Sequence, residues 1–492
     1  MKKEAAEKAA WWKESVFYEV YMPSFKDRGG QPGFKGLRSA LDYFGELGVK
    51  GIWLTPFLQS PKVDNGYDVS DYRMIDPAYG TLDDFKVFLG EAHERGIRVI
   101  MDMVVNHSST EHAWFQEARK SKDNQYRDYY LWTDSPNNWE SFFGGSAWEL
   151  DALSGQYYYH QFDVQMADLN WANPKLVEEV LSVLRFWLDI GVDGFRMDVI
   201  NFLSTDGIGP DNPVRDGKQE HLHDIDRPGV KEAIRKIKSA VNEYPDRFIV
   251  GEVGSDKIEV LSSYQSEELL DLVFNFNFGS IPEFSAQRIF DELLSMEERM
   301  PGYPSLFFGS HDMPRLMSRL AENKPARAEA LAVLMLSARG VPFIYNGEEI
   351  GMVDAVARTF EDIQDIQART QYALALKNGC SDADALVVAN RHNRDKSRGS
   401  MPWDHGENPI LKVYKKAIAL RNAEPVFQYG TYKDLSFRAG CISFTRKYQE
   451  MLVRGYFNFG ETAMEVVLEP GENVLLGSEI LQPDGYLIIQ VN

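Results

Sequence analysis

Three acidic residues stand at or just after the ends of apolar, strand-like segments. Asp198 lies in "GFRMDV", Glu252 in "IVGEVG" and Asp312 in "FFGSHDMPR". Any one of them alone is most simply a helix cap or part of a surface ion pair. If a closed sheet brings the three strand ends together, however, the crowded carboxylates repel one another and raise at least one pKa. Such a cluster costs stability, which favours a chemical role over a structural one.

Paired carboxylates suit glycoside hydrolysis, in which one acid protonates the leaving oxygen and another attacks or stabilises an oxocarbenium-like centre. Arg196 precedes Asp198 by two positions and shares its strand face, where a guanidinium keeps a carboxylate ionised and oriented. This favours Asp198 as the nucleophile. Glu252 lies between Val250 and Val253 with fewer evident cationic neighbours, so desolvation favours its protonated form and an acid/base role.

Eight short apolar segments predict the strands that must position these acids. They alternate with amphipathic helical stretches such as "LDDFKVFLGEAHERG" and "PKLVEEVLSVLRFWLDIG", a pattern typical of βα units around a parallel sheet. The predicted strands begin at Ser15, Gly51, Ile97, Asp193, Arg247, Leu272, Ser305 and Pro342. The sequence therefore predicts an α/β fold, a (β/α)8 TIM barrel, with catalytic groups at the C-terminal ends of the strands.

Two insertions and a terminal module interrupt this regularity. We expect the barrel to comprise residues 1–107 and 173–426, with a small inserted domain B, residues 108–172, after strand 3 and over the barrel mouth. A second excursion, residues 352–404, follows the eighth strand and has a helical middle. Residues 427–492 contain "CISFTRK", "MLVRGYFNF" and "GYLIIQVN", which predict a C-terminal antiparallel β domain resembling a sandwich.

Bulk composition narrows the partners. The 492 residues include 53 basic and 74 acidic side chains, a net charge of −21, so the protein should repel nucleic acid and anionic membranes. Only Cys380 and Cys441 occur, and no disulfide framework is predicted. The opening "MKKEAAEKAA" precedes no apolar segment, and no apolar run of about 18 residues occurs. We predict a cytoplasmic protein with a small neutral ligand; monomer and homodimer both remain open.

Ten motifs run in order along nearly the whole chain: "GIWLTP", "NGYDVSDY", "DMVVNH", "FFGGSAW", "QMADLN", "DGFRMDVIN", "GEV", "SHDMPR", "YNGEEIGM" and "RDKSRGSMPWD". With them the chain resembles the α-amylase superfamily, glycoside hydrolase family 13, and its oligo-1,6-glucosidase and α-glucosidase group. The resemblance implies that Asp198 is the nucleophile, Glu252 the general acid/base and Asp312 a transition-state stabiliser that grips sugar hydroxyls. Retention of anomeric configuration follows, with the two carboxyl groups about 5 Å apart.

The resemblance also implies binding roles. His107 and His311 resemble neutral imidazoles that hydrogen-bond the hydroxyls of the sugar being cleaved, and Tyr67 resembles a ring stacked on its apolar face. Asp102 is expected to orient Arg196 from behind the site.

A charged pair is expected to close the pocket. Asp68 in "NGYD" and Arg398 in "KSRGS" resemble the two residues that clamp the terminal glucose. A pocket blocked behind that glucose implies exo action on short chains, because a polymer could not thread through it.

Two further positions bear on specificity and metal binding. Val199 follows the expected nucleophile; similar enzymes tend to have valine there when they prefer α-1,6 links and threonine when they prefer α-1,4, a difference of one hydrogen bond worth about 1 kcal/mol. The loop "DRGGQPGFKG" from Asp27 keeps one acid where many relatives have an oxygen-rich calcium loop. We therefore predict no metal there and no cofactor.

The sequence thus predicts a retaining exo-acting α-glucosidase that hydrolyses short α-1,6-linked gluco-oligosaccharides such as isomaltose. A hydrolase of trehalose-6-phosphate, sucrose or isomaltulose in the same family is the alternative, and a phosphate-specific enzyme would need extra lysine or arginine beside the leaving sugar. A catalytically silent binding subunit is a third class. Such chains carry a membrane anchor and lack the three acids, and neither description fits this sequence.

Overall fold

Eight parallel strands form a nearly closed barrel in the computed structural model, which describes residues 10–491. In chain order they are β1 (Phe17–Val20), β2 (Gly51–Leu54), β3 (Arg98–Met103), β4 (Gly194–Met197), β5 (Phe248–Glu252), β6 (Leu272–Phe274), β7 (Ser305–Leu306) and β8 (Val341–Tyr345). Hydrogen bonds join them in the spatial order β6-β5-β4-β3-β2-β1-β8-β7. All eight predicted strands are present, and the predicted (β/α)8 barrel is confirmed. In the sequence, the opening segment precedes no apolar segment, and its residues 1–9 lie outside the described residues.

The barrel seam lies between β6 and β7, where no ladder of backbone hydrogen bonds is formed among the described residues. A side chain bridges it instead, since the Ser305 hydroxyl accepts a hydrogen bond from the backbone N–H of Asn275 (2.9 Å). The two strands at this seam are short, which leaves room for the loops that follow them.

Helices return the chain from one strand to the next, and their ends carry clear sequence signals. Thr81 and Asp84 form a capping box before one helix, and Asn173 caps another that has a proline in its first turn. That second helix ends at Gly191 with φ 111°, a left-handed conformation that favours glycine. The α-helices of the described residues are Trp11–Glu14, Gly33–Leu47, Leu82–Glu94, Ala113–Ala118, Pro174–Ile190, Val230–Val241, Ile258–Ser263, Phe276–Gly279, Ala286–Arg299, Leu316–Arg319, Pro325–Ser337, Ile366–Lys377, Asp382–His392, Pro409–Ala423 and Pro425–Tyr429. Within residues 10–491, none of them combines the length and apolar character required to cross a bilayer.

Aromatic side chains fill the inside of the barrel beneath the strand ends. Phe17 on β1 stacks on Phe343 on β8 with ring centroids 4.7 Å apart, and Phe274 packs edge-on against Phe343 at 4.8 Å. Trp53 extends the same cluster toward the carboxyl end of the barrel. Large, flat and fully buried rings leave little freedom for the backbone, so the strand ends above them are held on a rigid floor.

Two excursions stand over the carboxyl ends of the strands. The first, after β3, begins and ends on one antiparallel ribbon, in which His107–Ser109 pairs with Met166–Asp168. It contains a three-stranded sheet of Trp132–Thr133, Trp148–Asp151 and Gln156–Tyr159. The second, after β8, has the predicted helical middle, Ile366–Lys377 and Asp382–His392, followed by a 3-10 turn at Arg394–Ser397. Gln371 joins the two excursions by donating a hydrogen bond to the Phe143 carbonyl (2.9 Å).

The C-terminal part of the chain is an antiparallel β domain, as predicted. Its main strands are β9 (Thr431–Arg438), β10 (Cys441–Tyr448), β11 (Met451–Asn458), β12 (Asn473–Gly477) and β13 (Gly485–Val491), in the sheet order β9-β10-β11-β13-β12. A short ribbon of Met464–Glu465 and Ile480–Leu481 completes it.

A buried arginine fastens this module to the barrel. Arg446 on β10 is fully buried, and its Nη1 donates to the carbonyls of Ser337 (2.7 Å), Ala338 (2.9 Å) and Phe427 (3.1 Å). Its Nη2 donates to the Gly430 carbonyl (2.7 Å). Ser337 and Ala338 end the helix before β8, so one side chain satisfies carbonyls that this helix terminus leaves without intrahelical partners. Burial lowers the pKa of Arg446 to about 10.

Replacement of Arg446 by methionine should destabilise the protein, because it leaves several buried carbonyls without donors. We expect a loss of about 2–4 kcal/mol in the free energy of unfolding, seen as a lower Tm in thermal denaturation. Arg438→Met, at an exposed position on β9, is the matched control and should leave Tm nearly unchanged. Equal Tm values for the two variants would contradict this account of the junction.

Candidate active site

A cavity of about 210 Å³ opens at the carboxyl ends of the barrel strands. At about 30 Å³ per water molecule, it has room for about seven waters, which is the scale of one sugar ring. All three acids singled out from the sequence line it: Asp198 directly after β4, Glu252 at the end of β5 and Asp312 in the loop after β7. The other lining residues are Asp64, Tyr67, His107, Phe143, Phe162, Met166, Val199, Gln367 and Arg394.

Arg196 on β4 is the hub of the cavity floor. It is 1% exposed, and its Nη1 bonds Asp102 Oδ1 (2.8 Å) and Asp198 Oδ1 (2.5 Å). Its Nη2 bonds Glu252 Oε2. Sequence reasoning gave Glu252 few cationic neighbours, and here the structure differs. Because β4 and β5 are hydrogen-bonded neighbours, with Arg196 in register with Val250, the guanidinium reaches the glutamate as well.

The three acids have different electrostatic environments. Burial raises the pKa of Glu252 to about 7, with Arg196 opposing it and the charges of Asp198 and Asp312 adding to it. Burial likewise raises the pKa of Asp198 to about 6. Burial also acts to raise the pKa of Asp312. His311, Arg394 and Arg398 outweigh this effect and hold the pKa of Asp312 well below its usual range. The sequence predicted that repulsion among the carboxylates raises at least one pKa; two are raised, with burial as the larger cause and the neighbouring carboxylates adding to it.

The two predicted histidines are in opposite situations. Burial lowers the pKa of His107 to about 4, so its imidazole is neutral. The Asn106 amide lies 3.3 Å from His107 Nδ1, and Nε2 has no partner within the described residues, which leaves an N–H free to meet a ligand. His311 instead contacts the carboxylates of Glu19 and Asp312, which raise its pKa against the effect of burial. The low pKa of His107 agrees with the expectation that both imidazoles are neutral, whereas the pKa of His311 is shifted in the opposite direction.

Tyr67 lines the cavity beside these groups. Its hydroxyl is 3.0 Å from Asp102 Oδ2 and 2.6 Å from His311 Nε2, and its ring stacks on the imidazole of His311 at 5.5 Å and 9°. Asp102 thereby touches both Tyr67 and Arg196, in the position expected of a residue that orients the arginine.

The structure does not join the predicted pair of Asp68 and Arg398. Asp68 is fully buried inside its own loop, where its carboxylate accepts bonds from Ser60 Oγ (2.9 Å) and from the backbone N–H groups of Val63 (2.8 Å) and Asp64 (3.0 Å). The Asp68 carboxylate is therefore bound within its own loop and does not line the cavity, where the prediction placed it.

Asp64 and Arg394 form the ion pair at the cavity in place of that pair. Arg394 Nη2 bonds Asp64 Oδ1 (2.6 Å) and Asp365 Oδ1 (2.6 Å). Arg398 bonds Asp312 Oδ1 (2.8 Å) from behind. Asp64 lies four residues before Asp68 in "DNGYD", and Arg394 lies four residues before Arg398 in "RDKSR". Each motif contains the same residue type twice, and the earlier of the two is at the cavity.

Val199 has a strained backbone. Its φ of 34° and ψ of 46° lie in the left-handed region, which a β-branched residue adopts at a cost of about 1–3 kcal/mol. This conformation turns its side chain toward the cavity and its N–H to within 3.4 Å of Glu252 Oε2. Nothing in the sequence indicates this strain.

The outer wall comes from residues to which the sequence analysis gave no role. Phe143, Phe162 and Met166 belong to the excursion after β3, and Gln367 belongs to the helical part of the excursion after β8. Phe143 and Met166 lie in the motifs "FFGGSAW" and "QMADLN", and Phe162 lies in the aromatic-rich segment 108–172, whereas Gln367 has no comparable sequence signal.

Within residues 10–491, no group of three or more His, Cys, Asp or Glu side chains is arranged to hold a metal ion. In the loop that resembles a degenerate calcium site, Asp27 Oδ1 accepts hydrogen bonds from the N–H groups of Gly29 and Gln31 (2.8 Å each). This carboxylate closes its own turn.

A parallel eight-stranded barrel with carboxylates converging at the carboxyl ends of its strands is typical of a TIM-barrel enzyme. Residues 19–430 match the α-amylase family, described as "Alpha amylase, catalytic domain", and the chain belongs to that family of glycoside hydrolases.

The relatives of the chain carry several names. It is 37% identical to an oligo-1,6-glucosidase of Parageobacillus thermoglucosidasius, over 86% of this chain and 85% of the relative. It is also 37% identical to a trehalose-6-phosphate hydrolase of Escherichia coli, with 86% of each chain covered. Among solved structures, isomaltulose synthase from Klebsiella sp. LX3 superposes with a TM-score of 0.90 at 31% identity, covering 99% of this chain and 100% of that one.

Proposed function

We propose that this glycoside hydrolase is a retaining, exo-acting α-glucosidase that removes glucose from the non-reducing end of short, neutral, α-1,6-linked gluco-oligosaccharides. Asp198 is the nucleophile, Glu252 the general acid and base, and Asp312 the stabiliser of the transition state. The observation that carries the proposal is the contact of one guanidinium, Arg196, with both Asp198 and Glu252. Two carboxylates on one guanidinium are close together, which suits the separation of about 5 Å in retaining enzymes better than the 6.5–9.5 Å of inverting ones.

The chemistry follows from these charges. Glu252 gives its proton to the glycosidic oxygen while the Asp198 carboxylate attacks the anomeric carbon, so that the bond from this carbon to the leaving oxygen breaks as the glycosyl-enzyme ester forms. Water then attacks the anomeric carbon, Glu252 takes its proton, and Asp198 leaves as the carboxylate. Asp312, the acid with the lowest pKa of the three, stays negative throughout beside the developing oxocarbenium charge.

The Asp64–Arg394 pair supports exo action. It links the loop after β2 to the excursion after β8 across the cavity, and Asp365 holds the arginine from the far side. A carboxylate and a guanidinium in this position offer both acceptors and donors to the hydroxyls of a terminal glucose. A longer chain would have to break the pair to pass.

The charge of the cavity wall supports a neutral substrate. Among the described residues that line the cavity, Arg394 is the one lysine or arginine, and it is within ion-pair distance of Asp64, Asp365 and Asp312. A phosphate on the sugar in this cavity would need a cation that is not already neutralised, so the wall favours an uncharged terminal glucose. Trehalose-6-phosphate, in which the phosphate would be on the leaving sugar, is the alternative substrate, and a relative is named for its hydrolysis.

Val199 supports the α-1,6 preference. Its side chain lines the cavity and offers a methyl group, with no hydroxyl for the leaving sugar. The loss of one such hydrogen bond is worth about 1 kcal/mol, which biases the linkage preference by about fivefold.

The first test is a comparison of initial rates of glucose release from isomaltose, panose, isomaltulose, maltose, sucrose, trehalose and trehalose-6-phosphate. We expect isomaltose and panose to give the highest kcat/KM.

Asp198→Asn should lose at least 1000-fold in kcat while retaining Tm, because no anion is left to attack. Azide should restore turnover to Asp198→Ala and yield β-glucosyl azide. A fastest rate on trehalose-6-phosphate would reverse the substrate assignment, and persistent turnover by Asp198→Asn would remove the nucleophile.

The pH dependence of kcat/KM should follow the two coupled carboxyls. Turnover requires Asp198 ionised and Glu252 protonated, so the rate should rise with pH through about 6 and fall through about 7, as apparent values of the pair. With an activated aryl α-glucoside, whose leaving group needs no proton, Glu252→Gln should lose the alkaline limb of kcat/KM. An unchanged alkaline limb in that variant would mean that another group supplies the proton.

Matched substitutions can distinguish a substrate-binding role of Asp64 from a structural role of Asp68. Asp64→Asn should lower kcat/KM on isomaltose about 10- to 100-fold, the effect of losing a charged hydrogen bond worth about 1.5–3 kcal/mol, with little change in Tm. Asp68→Asn should lower Tm and leave kcat/KM within a few-fold, because its carboxylate organises the loop. The reverse pattern would restore the pair predicted from the sequence.

A further inference from the structure

A buried glutamate on β1 lies directly behind the active-site histidine. Glu19 is 1% exposed, and its Oε1 contacts both His311 Nδ1 and the backbone N–H of His311 (3.3 Å). It is the single charged residue of the strand "FYEV". An ionisable group in the middle of a barrel strand is costly unless it has a partner, and the partner here is the imidazole.

The hydrogen bonds around His311 determine how many protons it carries. Asp102 Oδ2 accepts from the Tyr67 hydroxyl (3.0 Å) and from Trp53 Nε1 (3.3 Å), while Asp102 Oδ1 accepts from Arg196, so every contact of Asp102 is with a donor. Tyr67 has one proton. Directed to Asp102, this proton leaves the Tyr67 oxygen as an acceptor 2.6 Å from His311 Nε2, and the Asp312 carboxylate, 3.2 Å from Nε2, is a second acceptor. Both contacts favour Nε2 as a donor.

The other ring nitrogen faces an acceptor as well. His311 Nδ1 meets the Glu19 carboxylate, which has only lone pairs to offer when it is ionised. With both nitrogens directed at oxygen acceptors, His311 is an imidazolium. Its Nε2 also lies 3.2 Å from Asp312 Oδ2, while Arg398 bonds the other oxygen of that carboxylate.

We propose that Glu19 is a positioning residue that keeps His311 doubly protonated, and that it thereby holds Asp312 negative and fixed between an imidazolium and a guanidinium. This inference rests on the proposed role of Asp312 as the transition-state stabiliser. Glu19 touches neither the cavity pair nor the reacting carboxyls, and it acts through the imidazole alone.

The charges that face His311 from each neighbouring element agree with this state. Glu19 and Asp312 favour its proton, and Arg398, bonded to the His311 carbonyl, disfavours it. The ring also packs between aromatic side chains, parallel to Tyr21 and Tyr67 and edge-on to Trp53. When Glu19 is replaced by glutamine, Asp312 and the more distant Asp102 are left to favour the proton, against Arg398 and burial. The groups that face the imidazole are Glu19, Tyr21, Trp53, Tyr67, Asp102, Asp312 and Arg398.

Glu19→Gln tests the proposal, because an amide oxygen keeps the acceptor and the side-chain volume and removes the charge. The kcat/KM of the variant relative to wild type should be close to one at acidic pH, where His311 is protonated in both proteins. The ratio should fall about 10- to 100-fold as the pH rises through the ordinary imidazole range near 6.5, the loss seen when carboxylate partners of functional histidines are removed at metal sites. In a His311→Gln background, Glu19→Gln should change kcat/KM by less than about threefold. A ratio independent of pH, or an equal loss in both backgrounds, would overturn the proposal in favour of simple packing.

A second readout does not depend on turnover. In protein labelled with ¹⁵N-histidine, and with His311→Gln to assign the signals, both ring nitrogens of His311 should remain protonated through the ordinary imidazole range. In Glu19→Gln the ring should titrate at lower pH. The same spectra can be recorded for Asp198→Asn, so a failure of the proposed hydrolase function would leave this result standing. A neutral His311 in the wild-type protein at neutral pH would overturn the inference by itself.

Discussion

The active site depends on one buried arginine that three carboxylates share. Arg196 has almost no access to water, and its guanidinium bonds Asp102, Asp198 and Glu252 at once. Three buried anions around one cation leave excess negative charge, and the least costly response is for a carboxyl to hold its proton nearer to neutral pH. Burial is the main reason why the pKa values of Glu252 and Asp198 are raised, and the one arginine that the carboxylates share does not offset it. A second cation on this side of the cavity would ionise Glu252 and leave no acid to protonate a leaving group.

The opposite side of the cavity has the reverse balance. Asp312 has His311, Arg394 and Arg398 close to it, and its pKa is held low although it too is secluded from bulk water. Glu252 and Asp312 have similar ordinary pKa values, yet within this one small cavity their pKa values are shifted in opposite directions. The difference comes from the number of cations that each wall supplies, since burial acts on all of these acids in the same direction.

The sequence predicted the parts of this arrangement that depend on periodicity and failed where local geometry decides. Apolar segments marked all eight strands, and the acids after them fell at one end because parallel strands share a direction. The cavity pair was misassigned because "DNGYD" offers two aspartates, and only the folded loop shows that Asp68 spends its oxygens on backbone amides while Asp64 faces Arg394. Val199 gives no warning of its left-handed backbone, which the turn after β4 imposes. Glu19 did leave a signal, a charge inside an apolar strand, but its partner is 292 positions away.

The cavity combines a rigid floor on the barrel strands with a wall on two excursions, and this division is compatible with a fold shared by relatives of different names. The acids stand on strand ends over a plug of stacked aromatic rings, where a shift of even one side chain would disturb close packing. Phe143 and Gln367 lie on two excursions joined by few polar bonds, such as that from Gln371 to the Phe143 carbonyl. Substitutions in the excursions can therefore change which leaving group fits without moving the carboxylates. The names of its relatives, oligo-1,6-glucosidase, trehalose-6-phosphate hydrolase and isomaltulose synthase, are compatible with one floor beneath different walls.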